Sequence, residues 1–154
     1  MHSCPREVYS RRPGLVSRLL VVGQFMLMIG LAATSDSPSA GALAWIAAGG
    51  ALGLWALFAM PLRQLRIVPE VHPRGRLVRR GPYRWIRHPM YLAVLLVAVG
   101  LAATAPVPPR LVMALALAVL LVVKQLREEK LLCAAYPDYA GYQADTWRLV
   151  PWVW

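Results

Sequence analysis

Four apolar runs, at residues 19–34, 42–60, 90–105 and 111–123, dominate this sequence and tie it to a membrane. A helix crosses the hydrocarbon layer with about 20 apolar residues. The first two runs meet that length once residues 15–17 extend the first. The last two are short for straight crossings and read as a helical hairpin turned by the "APVPPR" segment at 105–110. Hydrophobic residues make up 58% of the 154 and charged ones only 16%, yet the net charge is +10. So basic a soluble chain would suggest nucleic acid. With this apolar content the partner is membrane lipid, and no nucleic acid is expected. Gly49 and Gly53 form a small-xxx-small pair in the second run, a helix-packing face with no chemistry of its own.

The basic residues orient the chain. Arg6, Arg11, Arg12 and Arg18 precede the first run; Arg63, Arg66, Arg74, Arg76, Arg79, Arg80, Arg84 and Arg87 lie between the second and third; Lys124, Arg127, Lys130 and Arg148 follow the fourth. Only Arg110 falls in the two opposite loops. By the positive-inside rule both termini and the long loop face the cytoplasm. The expectation is an all-α polytopic protein of the cytoplasmic membrane, with four transmembrane helices and a cytoplasmic helical tail. It forms a single domain: residues 1–60 supply two helices, and residues 61–154 supply the loop, hairpin and tail that carry the chemistry. "SRRPGLVSRLL" before the first run resembles an export signal, but three more apolar runs follow, so it reads as a retained helix. Cys4 and Cys133 form no metal motif and are expected as free thiols on the reducing side. The transmembrane interiors hold no carboxylate, which argues against a proton-coupled transporter.

Chemistry must then lie in the loop at 61–89 and the tail from Lys124 onward, which meet at one membrane surface because the hairpin joins them. In "RRGPYRWIRHPMY" (79–91) Gly81-Pro82 forces a turn, and His88-Pro89 starts the third helix with Pro at its first position. His88 thus stands at a helix N-terminus, a place that favours an anion. Arg87 suits a carboxylate or phosphate, and Tyr83, Trp85 and Tyr91 offer ring faces. The bland reading makes Arg79, Arg80, Arg84 and Trp85 interfacial anchors. In the tail the fourth helix runs on through Glu128 and Glu129 and stops before Pro137. Adjacent helical residues diverge by about 100°. The two carboxylates are therefore expected to take different partners, one facing the site and the other a loop arginine.

"GPYRWIRHPMY", then "EEKLL", "YPDYAGYQ" and "RLVP", resembles the isoprenylcysteine carboxyl methyltransferase and phospholipid methyltransferase superfamily of membrane enzymes, over roughly residues 74–151. The resemblance implies S-adenosylmethionine as cofactor. It implies a cofactor pocket from Gly81, Pro82, Tyr83, His88, Tyr91, Glu128 and Glu129, with Arg87 and Arg127 handling the acceptor. The acceptor would be lipophilic and arrive from the bilayer. Ala93 stands where relatives often carry Gly, and Gln143 where a basic residue is common. The residues' own chemistry agrees: carboxylates suit the cofactor's ammonium or ribose, tyrosines its adenine or sulfonium. Methyl transfer from a sulfonium needs no metal, only in-line positioning. Two rivals are an NADPH-dependent membrane reductase of the sterol-reductase type and a non-catalytic protein binding anionic lipid.

Overall fold

The computed structural model describes residues 14–60 and 77–152. Cys4, Arg6, Arg11, Arg12, Arg63, Arg66, Arg74 and Arg76, invoked above, lie outside the described residues. Among the described residues there are five helices: α1 (Leu15–Ala33), α2 (Ala40–Ala59), α3 (Pro89–Ala103), α4 (Pro108–Ala135) and α5 (Tyr139–Asp145). Among the described residues a 3₁₀ turn, Gly81–Arg84, precedes α3.

Local chemistry sets these boundaries. Ser39 caps α2 by accepting a hydrogen bond from the Ala42 N–H at 3.2 Å. Prolines open both α3 and α4, at positions where the missing N–H costs nothing. Thr34 closes α1 by returning its hydroxyl to the Gly30 carbonyl at 2.7 Å. α4 ends at Ala135, just before Pro137, as the sequence predicts.

Small residues set the packing. A Cβ added at Gly49 would lie 2.7 Å from the Ala93 carbonyl oxygen, and one at Gly100 would lie 2.8 Å from that of Ala42. α2 and α3 therefore touch backbone to backbone, and the Gly49/Gly53 face is spent inside the chain. Ala93 is buried in this seam, with its methyl 3.4 Å from a Cβ built on Gly53. α1 runs antiparallel to α4: Gly23 meets Leu120 and Gly30 meets Met113. Leu31, Ala98, Ala102, Leu117 and Leu121 then join α1, α3 and α4 in one apolar core. At the hairpin end Arg110 ties the two short connections together, reaching Asp36 at 3.1 Å and Thr104 at 3.2 Å.

The outer surface is as apolar as the core. Leu15, Phe25, Ile29, Phe58, Val112, Leu115 and Val119 are all exposed. Such a surface suits lipid rather than water. α1, α2 and α4 are each long and apolar enough to cross a membrane, so the protein is an integral membrane protein. α3 is the short element expected: 15 residues, or about 22 Å at 1.5 Å per residue, against a hydrocarbon core of about 30 Å. The fourth helix runs on past its short apolar run as expected, since α4 extends over 28 residues and includes Glu128 and Glu129. Its polar turns after Val123 continue the same helix. Among the described residues three helices are thus long enough to span, and α3 is the shorter apolar helix beside them.

Cys133 is disulfide-bonded, which overturns the expectation of a free thiol there. The antiparallel α1–α4 pairing carries the last turns of α4 toward the start of α1, so this cysteine does not stand apart from the N-terminal side of the fold.

Substituting Gly49→Val should cost about 1–3 kcal/mol of stability, because backbone on the facing helix cannot yield. Thermal unfolding of the purified protein checks this; an unchanged midpoint would contradict the α2–α3 contact.

Candidate active site

The 3₁₀ turn is built against the end of α2. Gly81 has a φ of 59°, and a Cβ there would lie 2.7 Å from the Ala59 methyl. Only glycine meets both demands. Arg80 donates through Nε to the Ala59 carbonyl at 2.7 Å, satisfying an orphan acceptor at the α2 terminus. Pro82 and Tyr83 are buried behind it.

The tail closes over this turn. Tyr142 on α5 donates its hydroxyl to the Tyr83 carbonyl at 2.6 Å. Arg79 reaches the Asp138 carbonyl at 3.2 Å and lies 5.4 Å over the Tyr142 ring. Beyond α5 the chain pairs with the loop in a short parallel bridge between Ile86 and Trp147. The Trp147 N–H donates to the Trp85 carbonyl at 2.9 Å, and the Arg87 N–H to the Trp147 carbonyl at 2.8 Å. Loop and tail are thus one layer at the end of the bundle.

Glu129 is the center of the charged cluster. Its Oε1 accepts from Arg87 Nε at 2.9 Å, its Oε2 lies 2.9 Å from Arg148 Nη2, and the carboxylate is nearly buried. Arg87 also donates to the carbonyls of Gln143 and Thr146, so one guanidinium joins the loop, α4 and the tail. Gln143 serves here through its backbone. Glu128 accepts from the Tyr91 hydroxyl at 2.7 Å. His88 lies between the carboxylates, Nδ1 3.6 Å from Glu128 and Nε2 3.5 Å from Glu129, and its ring stacks on Tyr91.

Two expectations change. Glu128 and Glu129 do take different main partners, a tyrosine and two arginines. They nevertheless share His88, because an imidazole offers nitrogens on opposite edges. The anion drawn to His88 at the start of α3 is also supplied by the chain itself.

Electrostatics follow from this enclosure. Burial works to lower the His88 pKa, but the hydrogen-bonding geometry and charge of Glu128 and Glu129 outweigh it and raise the pKa above its ordinary value. Burial pushes the Tyr142 phenol up to about 12. Burial, followed by the nearby Glu128 charge, raises that of Tyr83 as well. Both phenols stay neutral at physiological pH, and that of Tyr142 donates to the Tyr83 carbonyl.

Of the residues singled out from the sequence, Arg87, His88, Tyr91, Glu128 and Glu129 form one network, with Gly81, Pro82 and Tyr83 in the adjoining turn. Arg127 is exposed on α4 and takes no part in the contacts described. Arg148, Thr146 and Tyr139 went unassigned in the sequence. Arg148 lay within the "RLVP" motif, but its reach to Glu129 depends on a tail geometry that residue order does not reveal.

The profile described as phospholipid methyltransferase matches residues 39–139. The chain belongs to that family. It is also 37% identical, over 76 residues, to the cobalt-zinc-cadmium resistance protein CzcN of Cupriavidus metallidurans. That match covers 49% of this chain and 35% of CzcN, so the shared region is about a third of that relative. No solved structure matches. Among the described residues no three His, Cys, Asp or Glu side chains are grouped to hold a metal ion.

The raised His88 pKa gives a pH dependence with a definite sign. Protonated His88 stabilizes the fold fully below its unfolded value of about 6.5, and this contribution is lost as pH rises through the folded value. The thermal midpoint should therefore fall on the alkaline side, and His88→Asn should flatten that decline. Parallel pH profiles for the two proteins would contradict the bridge.

Proposed function

We propose that the protein is an S-adenosylmethionine-dependent methyltransferase acting on a lipophilic or membrane-accessible acceptor, with its site and both termini on the cytoplasmic side. The observation that carries this reading is the closed loop–tail layer around Glu128 and Glu129, set at the end of a helical membrane bundle. Members of this family generally use that cofactor. The residues present suit it. The Tyr139 hydroxyl is buried without a hydrogen-bond partner, which leaves polar capacity beside the carboxylates. Both described partners of Glu128 engage Oε2, and its side chain is 29% exposed, so a second carboxylate edge is open to an ammonium or ribose hydroxyl.

When bound, S-adenosylmethionine supplies a methyl group already activated by its sulfonium. The chain's own work is placement. Glu128 is the residue assigned to the cofactor's cationic or ribose groups. Glu129 and His88 hold Glu128, Arg87 and the tail in register. Gly81, Pro82 and Tyr83 form the neighboring wall, and Tyr91 orients Glu128. Arg87 is a positioning residue, since it is committed to Glu129 and the tail carbonyls. Arg127, exposed on the same helix, is the arginine available to an incoming acceptor. No general base is assigned. The family match does not favor the reductase or lipid-binding alternatives. Metal resistance is named for CzcN, of which this chain matches about a third, and none of it is assigned here.

The test combines calorimetric titration of S-adenosylmethionine into purified protein with labelled methyl transfer into a membrane lipid extract. Saturable binding and a labelled lipid are expected, with both lost in Glu129→Gln. Binding of NADPH in place of S-adenosylmethionine would overturn the assignment.

A further inference from the structure

Lys124 is a buried cation that the site described above does not use. It follows the last apolar run and, counted by sequence alone, belongs to the cytoplasmic flank. Its side chain says otherwise. Gly23 and Gly30 of α1 meet Leu120 and Met113 of α4, a register that sets Lys124 level with the early turns of α1, but the side chain reaches inward and Nζ lies 2.6 Å from Gln24 Oε1. Gln24 is near the midpoint of α1, itself a candidate membrane span. The ammonium therefore sits deep in the bundle, only 2% exposed.

Its immediate partners are neutral. They are the Gln24 carbonyl and the face of Tyr91, whose ring centroid is 5.2 Å away. No ion pair to Lys124 occurs among the described residues at contact distance. Glu128, one turn further along α4, directs Oε2 to Tyr91 and His88 instead. Beside Lys124, Gln125 is fully buried, and both its amide atoms lack a hydrogen-bond partner. A buried amide left unsatisfied costs about 1–3 kcal/mol. An ionizable group at this depth ordinarily marks a functional position. Gln125 lies one helical turn from Leu121 of the apolar core and one turn from Glu129, so this polar pair separates the core from the charged cluster. α1 packs broadly on α4 but only sparsely on α3, which leaves the α1–α3 side the weaker wall.

We propose that Lys124 and Gln125 form a binding site for the anionic head, phosphate or carboxylate, of a bilayer amphiphile, placed on the membrane side of Glu128. The ammonium supplies the counter-charge and the Gln125 amide a donor. A cationic head is disfavored at the same place. As a determinant of acceptor choice this rests on the methyltransferase reading; as a binding site it does not.

The test uses the full chain in lipid nanodiscs and four probes of equal chain length: dodecyl phosphate, laurate, dodecanol and dodecylamine. Wild type should bind the phosphate or the carboxylate at least about tenfold more tightly than the alcohol, and the amine no better than the alcohol. The stronger of the two anions identifies the head. Lys124→Met should abolish the preference, Lys124→Arg should restore part of it, and S-adenosylmethionine binding should stay unchanged in both. Gln125→Leu should weaken the preferred anion and spare the alcohol. Equal binding of all four probes by wild type overturns the proposal without any variant. So does an anion preference that survives Lys124→Met. Loss of S-adenosylmethionine binding by wild type would instead count against the methyltransferase reading and leave the probe result standing.

Discussion

The contact between Arg87 and Glu129 holds the functional end of this protein together. Burying a carboxylate and a guanidinium is costly, and the cost is offset only when both are well paired. Here Glu129 meets two arginines and a histidine, while Arg87 spans from α4 to the tail carbonyls. Removing either partner leaves an uncompensated charge where solvent hardly reaches. The 3₁₀ turn, the Ile86–Trp147 bridge and α5 all converge on this pair.

The membrane part of the fold serves the same end. Close backbone contact between α2 and α3 fixes the start of α3, and with it His88 and Tyr91. The antiparallel seam of α1 with α4 fixes the depth of Lys124 relative to the carboxylates one turn away. Because α3 is short, its first residues lie beside the last turns of a much longer helix. A polar site can therefore stand next to the apolar core, as a reaction between a water-borne methyl donor and a lipid-borne acceptor requires.

Much of this was legible from residue order. The apolar runs delimit α1 and α2, and the prolines at 89, 108 and 137 mark where α3 and α4 begin and end. The cluster members Tyr83, Arg87, His88, Tyr91, Glu128 and Glu129 were legible as a compound motif. The inward reach of Lys124 was not, since it follows from its contact with Gln24 on another helix. Hydropathy alone places that lysine outside the membrane. Nor was the double use of His88 visible, because angular separation on a helix says nothing about a planar ring inserted between two side chains. Arg148 was hidden for a related reason: its partner lies on another element, and only the tail's fold brings them together.

The most direct test of the central claim is a double-mutant cycle on Arg87→Met and Glu129→Met, read by thermal unfolding and by S-adenosylmethionine binding. Each single change should cost about 3–5 kcal/mol, as breaking a buried pair does, and the double change should cost clearly less than their sum. Additive losses would show that the two residues act independently and would contradict the account.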